Sequence, residues 1–124
     1  MIINKEISSY LVLDEESVKK TLAKIELNEH GMVVCVDNSN VFKGVLTDGD
    51  IRRWLISRKN PSLKTPAKFI MNRQAITARE NDKPEKILSI FTDNKTISFI
   101  PILDKKKRCV AIASKKSPSF QIAD

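Results

Sequence analysis

Between Asp14 and Glu29, Val18, Leu22 and Ile25 recur at helical spacing, which predicts a helix. Asp14 is the expected N-cap, and Glu15 and Glu16 suit the positive end of the helix dipole. His30-Gly31 should end it, with the glycine as a left-handed cap. Met32 to Val36 is an unbroken apolar run, the pattern of a strand buried on both faces. Asp37-Asn38-Ser39-Asn40 reads as a turn, and Val41 to Leu46 as the returning strand. A second helix is expected from Asp48 to about Arg58, turning Ile51, Leu55 and Trp54 inward before Asn60-Pro61 stops it.

After a short linker with Pro61 and Pro66, the pattern starts again. Asp82-Lys83-Pro84-Glu85 opens a helix with a capping acid, an early proline and an acid in the first turn. Ile87, Leu88 and Phe91 form its apolar face. Ile97 to Leu103 is the next strand, Asp104 to Lys107 the turn, and Cys109 to Ala113 the return. Asp37 and Asp104 each close an apolar strand, which sets an offset of 67 residues. At that offset Gly44 falls on Ala111, Val45 on Ile112 and Thr47 on Ser114. The chain is therefore read as a duplication, with repeats at 1–60 and 69–124 and a linker at 61–68. Two short strands cannot bury a sheet alone, so the copies are expected to pack sheet to sheet.

The chemistry concentrates where the first repeat passes from strand to helix, at Gly44-Val45-Leu46-Thr47-Asp48-Gly49-Asp50-Ile51-Arg52-Arg53. Thr47 and Asp50 stand at capping-box spacing, with Asp in place of the usual Glu or Gln. The same hydroxyl and carboxylate, beside helix-terminal N–H groups, could hold the hydroxyls of a ribose. Both readings stay open on the spacing alone.

Composition narrows the field. Of the 124 residues, 41 % are hydrophobic and 30 % charged, which suits a small soluble α/β domain. No apolar run nears the roughly 18 residues of a membrane span, and no signal peptide is evident, so a cytoplasmic location is expected. Cys35 and Cys109 lie in predicted strands without a CxxC, the pattern of buried free thiols. The net charge of +7 is unevenly spread: no acid occurs between Asp50 and Glu80, or from Lys105 to Ala123. That asymmetry favours an anionic ligand or partner. The basic stretches lack interleaved aromatics that would stack bases, which argues against nucleic acid. The single histidine, His30, sits at a helix end, and no zinc spacing or phosphate loop is present. Asp48-Gly49-Asp50 alone is a thin cation site. No base–nucleophile pair can be named, so the chain is not expected to be an enzyme by itself.

The tandem helix–strand–turn–strand unit, ending in Gly-apolar-apolar-Thr-x-x-Asp, resembles the cystathionine-β-synthase (CBS) domain pair, or Bateman module. Gly44 to Ile51, Ile100-Pro101-Ile102-Leu103-Asp104 and Phe69-Ile70-Met71 carry the likeness, which runs from about Ser9 to Lys116. The string from Thr47 to Arg53 is similar to pairs attached to bacterial sugar-nucleotide transferases and to sugar-phosphate isomerases of the arabinose-5-phosphate type. The ending Phe120-Gln121-Ile122-Ala123-Asp124 faintly resembles the start of sialic-acid synthase domains. The resemblance implies an α/β (α+β) fold of two small sheets with flanking helices, related by pseudo-two-fold symmetry. It also implies a regulatory module that senses a nucleotide (AMP, ADP, ATP or a cytidine nucleotide) between its repeats and requires no cofactor. Thr47 and Asp50 would hold the ribose, Val45, Ile76, Ile97 and Phe99 would flank the base, and Lys116 would reach the phosphates. Homodimers and a catalytic domain in cis or in trans are the implied partners. Because Ser117 stands opposite Asp50 at the same offset, at most one ribose site per chain is expected. Past Ser114 the pattern of a second terminal helix is missing. The alternative is a ligand-free structural dimerisation domain in which Thr47 and Asp50 are only a cap.

Overall fold

The computed structural model describes residues 1–115. It divides the chain into two units: Ser8–Ala75, and Met1–Ile7 together with the chain from Ile76 onward.

In the first unit, β2 (Leu11–Leu13), β3 (Met32–Val36) and β4 (Phe42–Thr47) form a sheet in that order. Central β3 pairs parallel with β2 and antiparallel with β4, so all five of its residues are buried, as its unbroken apolar run requires. A parallel pair needs a crossover, and α1 (Val18–Asn28) supplies it. This helix starts later than the sequence pattern predicts. Asp14 is not its N-cap: its N–H donates to the carbonyl of Val36 and prolongs the β2–β3 pairing, and a turn closed by the Glu16 N–H on the Leu13 carbonyl precedes the helix. Ser17 caps instead, accepting from the Lys20 N–H. Two more helix-end N–H groups, of Val18 and Lys19, donate to Thr65 and Leu63. The 61–68 segment therefore completes the start of α1.

At the other end the left-handed cap is Glu29 (φ 60°), with Gly31 (φ 74°) a second left-handed residue beyond it. The buried Asn28 secures this end: its amide donates to Ser9 and Met32 carbonyls and accepts from the His30 N–H. The His30 ring stacks on Tyr10 at 4.9 Å. Helix α2 (Asp48–Ser57) follows β4 directly. Its Ile51 is buried, and Trp54 and Leu55 pack on the core of Val18, Ile25, Val33, Cys35 and Leu46.

In the second unit the order is β1 (Ile2–Asn4), β7 (Cys109–Ser114), β6 (Phe99–Leu103) and β5 (Ala78–Arg79). Helix α3 (Pro84–Asp93) crosses between the parallel strands β5 and β6. Asp82 is not its cap. It accepts from the Arg79 N–H and pairs with Lys86, leaving Lys83 at the N-cap and Pro84 at the first helical position, where its missing N–H costs nothing. Ile87 and Phe91 are buried and Ile90 packs beside them. Leu88, expected on the same face, is 46 % exposed.

The two hairpins match at the predicted offset. Asp37 and Asp104 each use one carboxylate oxygen to accept two turn N–H groups, from Ser39 and Val41 and from Lys106 and Arg108, at 2.8–3.0 Å. Asn40 and Lys107 close the turns at φ 66° and 65°. The register shifts between Cys35 and Val36 in one sheet and between Ile102 and Leu103 in the other.

Candidate functional site

The junction of β4 and α2 is built from its backbone outward. Thr47 is still extended (φ −104°, ψ 162°), and its hydroxyl oxygen accepts the Asp50 N–H at 3.0 Å. Asp50 answers through Oδ2, which accepts the Thr47 N–H at 3.1 Å. The pair is thus a complete capping box. The second carboxylate oxygen, Oδ1, lies 2.9 Å from Arg53 Nη2, one turn along the helix. The Asp48 N–H donates to the Gly31 carbonyl, fixing the first turn of α2 to the loop before β3.

Close packing holds the strand leading into this junction. Val45 pairs with Val34 on one side and exchanges both backbone hydrogen bonds with Asn72 on the other, at 2.8 and 3.0 Å. A side chain at Gly44 would put its Cβ 2.8 Å from the Asn72 carbonyl oxygen and 2.9 Å from Met71 Cγ. Only glycine lets the 71–72 segment come this near. Sequence reasoning missed Met71 and Asn72, since nothing local marks a partner 27 residues downstream. Arg53 was also missed, although its i,i+3 spacing to Asp50 was legible.

The lone-pair count shows what this arrangement can still do. A threonine hydroxyl has one proton to give and two lone pairs, and a carboxylate has about four acceptor sites. The internal bonds take one lone pair from Thr47 and one site from each Asp50 oxygen. The Thr47 proton and a further site on each carboxylate oxygen can therefore serve a diol, with Asp50 29 % exposed to meet it.

Thr47, Asp50 and the partly buried Val45 all belong to the first unit. Ile76, Ile97 and Phe99 belong to the second. Ile76 is exposed, Ile97 packs on that unit's core, and Phe99 opens β6, partly buried, opposite Ser114. Lys116, Ser117 and the Phe120–Asp124 ending lie outside the described residues.

Charge and thiols complete the picture. The stretch after Asp50 is free of acids only along the chain: Arg52 pairs with Asp48, Arg53 with Asp50, and Lys68 with Glu15 at 2.6 Å. Burial pushes the Cys35 thiol up to about 12, with Asp14 adding to the effect, and the Cys109 thiol up to about 11. Both are buried thiols, too protonated at neutral pH to act as nucleophiles. Among the described residues no three His, Cys, Asp or Glu gather as a metal site, and no helix is long and apolar enough to cross a membrane.

The family model for the CBS domain matches twice, over residues 6–57 and 67–117. This chain belongs to the CBS domain family. As a tandem CBS pair it is 30 % identical over 89 residues to the arabinose 5-phosphate isomerase GutQ of Salmonella typhi, a match taking in 72 % of this chain and 27 % of that protein. The CBS pair thus spans about a quarter of the length of the curated relatives it matches. Among solved structures, the CBS domain pair of protein MJ0100 in complex with 5′-methylthioadenosine and S-adenosyl-L-methionine is 23 % identical, with a TM-score of 0.72 over 99 % of this chain and 97 % of that one. CBSX2 in complex with AMP is 15 % identical, with a TM-score of 0.75 over 98 % and 95 %. At these identities the likeness establishes the fold: mixed α/β, with three α-helices and two small sheets among the described residues.

Proposed function

We propose that this CBS pair, with repeats at 1–60 and 69–124 joined through 61–68, is a regulatory module. It senses an adenine or other nucleotide and controls an attached or partner enzyme of sugar or nucleotide-sugar metabolism. The observation that carries the reading is the Thr47–Asp50 pair, closed on itself yet keeping one hydroxyl proton and carboxylate acceptor sites for a ribose. The adenosine-containing ligands of MJ0100 and CBSX2 support the ligand class, and the match to GutQ supports the metabolic setting. Regulation follows only if the ligand favours one conformation of the module over another.

Isothermal calorimetry of the full chain against AMP, ADP, ATP and CMP tests the proposal. At least one should bind, and Asp50→Ala should abolish the heat while the circular dichroism spectrum is unchanged. Equal binding by Asp50→Ala would refute the ribose role. The base-flanking roles of Val45, Ile76, Ile97 and Phe99, and the phosphate role of Lys116, belong to the same proposal. Ile76→Ser should weaken a purine and a pyrimidine nucleotide to different degrees, whereas Lys116→Ala should weaken ATP more than adenosine. The competing reading, a structural dimerisation domain, draws on the way Thr47 and Arg53 already engage both Asp50 oxygens. It predicts no heat with any nucleotide.

A further inference from the structure

The cations that follow Asp50 in the chain are not all spent on acids. Arg52 and Arg53 pair with Asp48 and Asp50, and Lys68 pairs with Glu15. Arg58 and Lys59, at the far end of α2 from Thr47, are in no ion pair among the described residues. They edge a hollow of about 360 Å³ in the first unit, between the end of α2 and the segment that follows it. Every residue lining it falls between Trp54 and Phe69, and none is an acid. Two aromatic rings form its apolar part. Trp54 is half-buried, packs on the core, and makes no hydrogen bond through its indole N–H among the described residues. Phe69 is 68 % exposed, with Lys68 Nζ 5.4 Å from its ring centre. The loop side of the hollow is held by its backbone. The Thr65 N–H closes a turn on the Ser62 carbonyl, and the Thr65 and Leu63 carbonyls accept from Val18 and Lys19 at the start of α1. A wall already fixed in this way spares part of the ordering cost of binding.

We propose that this hollow docks a short acidic segment of a partner protein, with an aromatic side chain set on Trp54 and Phe69 and flanking carboxylates on Arg58 and Lys59. Accessible Trp, Phe and Arg are the residue types that anchor protein interfaces. A volume of about 360 Å³ is near the lower end of ligand pockets, about 300–1,000 Å³, and suits a single anchoring side chain. Charge complementarity picks the sign of the partner: the lining carries two cations and no acid, so a basic segment is repelled. A nucleic-acid strand is disfavoured, because Asp48, Asp50 and Glu15 interrupt the basic track that its phosphates would follow. The proposal is independent of the ribose reading.

The chain's single tryptophan, Trp54, reads the test directly. The full chain is titrated with a capped peptide in which a central Phe is flanked by Glu on both sides. Trp54 emission should change saturably, and added salt should weaken the binding. Phe69→Ser and the double change Arg58→Glu with Lys59→Glu, all at exposed positions, should each cut the affinity at least about tenfold. A peptide with Lys in place of Glu should bind the wild-type chain weakly and the double variant well. A merely structural role would not reverse that preference. Absence of a saturable change, or a preference for Glu that survives the charge reversal, would overturn the proposal. So would tighter binding of a single-stranded oligonucleotide that the double variant loses, which would assign the hollow to nucleic acid. A dimer dispersed by Phe69→Ser would assign it to a second copy, and peptide binding seen only after Phe120→Ser would assign it to the chain's own residues. Either result overturns the proposal equally.

Discussion

The hairpin at Asp37 and the hairpin at Asp104 have kept the same construction. The junctions that follow them, at Thr47 and at Ser114, have not. Each hairpin is closed by its own residues: one aspartate oxygen, two turn N–H groups and one left-handed residue satisfy the turn without outside help. Such a turn survives large changes around it, even with Lys107 holding a left-handed conformation that costs a lysine about 1 kcal/mol or more. The junction depends on its surroundings. Gly44 exists to admit Met71 and Asn72, and Thr47 caps a helix that needs a groove to lie in. At the matching positions the second repeat carries Ala111 and Ser114: an alanine stands where the first repeat needs glycine, and among the described residues no helix starts at the matching serine. Self-contained hydrogen bonding is conserved between the copies, and the long-range packing is where they part.

Substitution at Gly44 should give the sharpest contrast. Gly44→Ala places a methyl carbon inside contact distance of a backbone carbonyl, and overpacking of this kind costs about 1–3 kcal/mol. The stiffer unfolded chain returns only about 0.4–1 kcal/mol, so the clash should win. The reverse change in the other repeat, Ala111→Gly, should cost about 0.5–1 kcal/mol through chain entropy. Urea melts of both variants check the ranking, and equal losses would mean that the 71–72 segment yields.

A smaller effect is expected at the cap. Thr47→Ala should destabilise the chain by about 1 kcal/mol, whereas Thr47→Ser keeps the oxygen and should lose little. Arg53→Ala, at an exposed i,i+3 pair, should stay within about 0.5 kcal/mol. If Arg53→Ala costs as much as Thr47→Ala, the ion pair rather than the capping box organises the junction.

The subtlest test compares the hairpins through acid. Hydrogen bonds from the Val41 and Arg108 N–H groups hold the Asp37 and Asp104 carboxyls below the usual 3.8. A carboxylate with a lowered folded-state pKa stabilises above its unfolded value, and that contribution disappears as pH falls through the lowered value. Stability should therefore drop below about pH 4, and Asp37→Asn and Asp104→Asn should each flatten that drop by a similar amount. Thermal melts between pH 2 and pH 5 read it. Unequal flattening would show that Arg108, whose Nε lies 2.8 Å from Asp104, sets the second turn apart from Asp37, where Lys43 stands at 3.7 Å.

By itself the chain determined what is local and periodic. The buried strand Met32–Val36, the turns at the 67-residue offset, and the Thr47–Asp50 box are all readable because each depends on neighbours in sequence. Tertiary structure decided the rest. Asp14 went to the β2–β3 pairing and the turn after it, leaving the cap to Ser17, and the 61–68 segment became part of the start of α1. Met1–Ile7 joined the second unit as its edge strand, while the chain up to Ala75 stayed with the first. Leu88 came to lie 46 % exposed although Ile87 and Phe91 of the same helix are buried. Periodicity tells which side of a helix is apolar; which surface meets it is settled by contacts between residues far apart in the chain, and those leave no local mark.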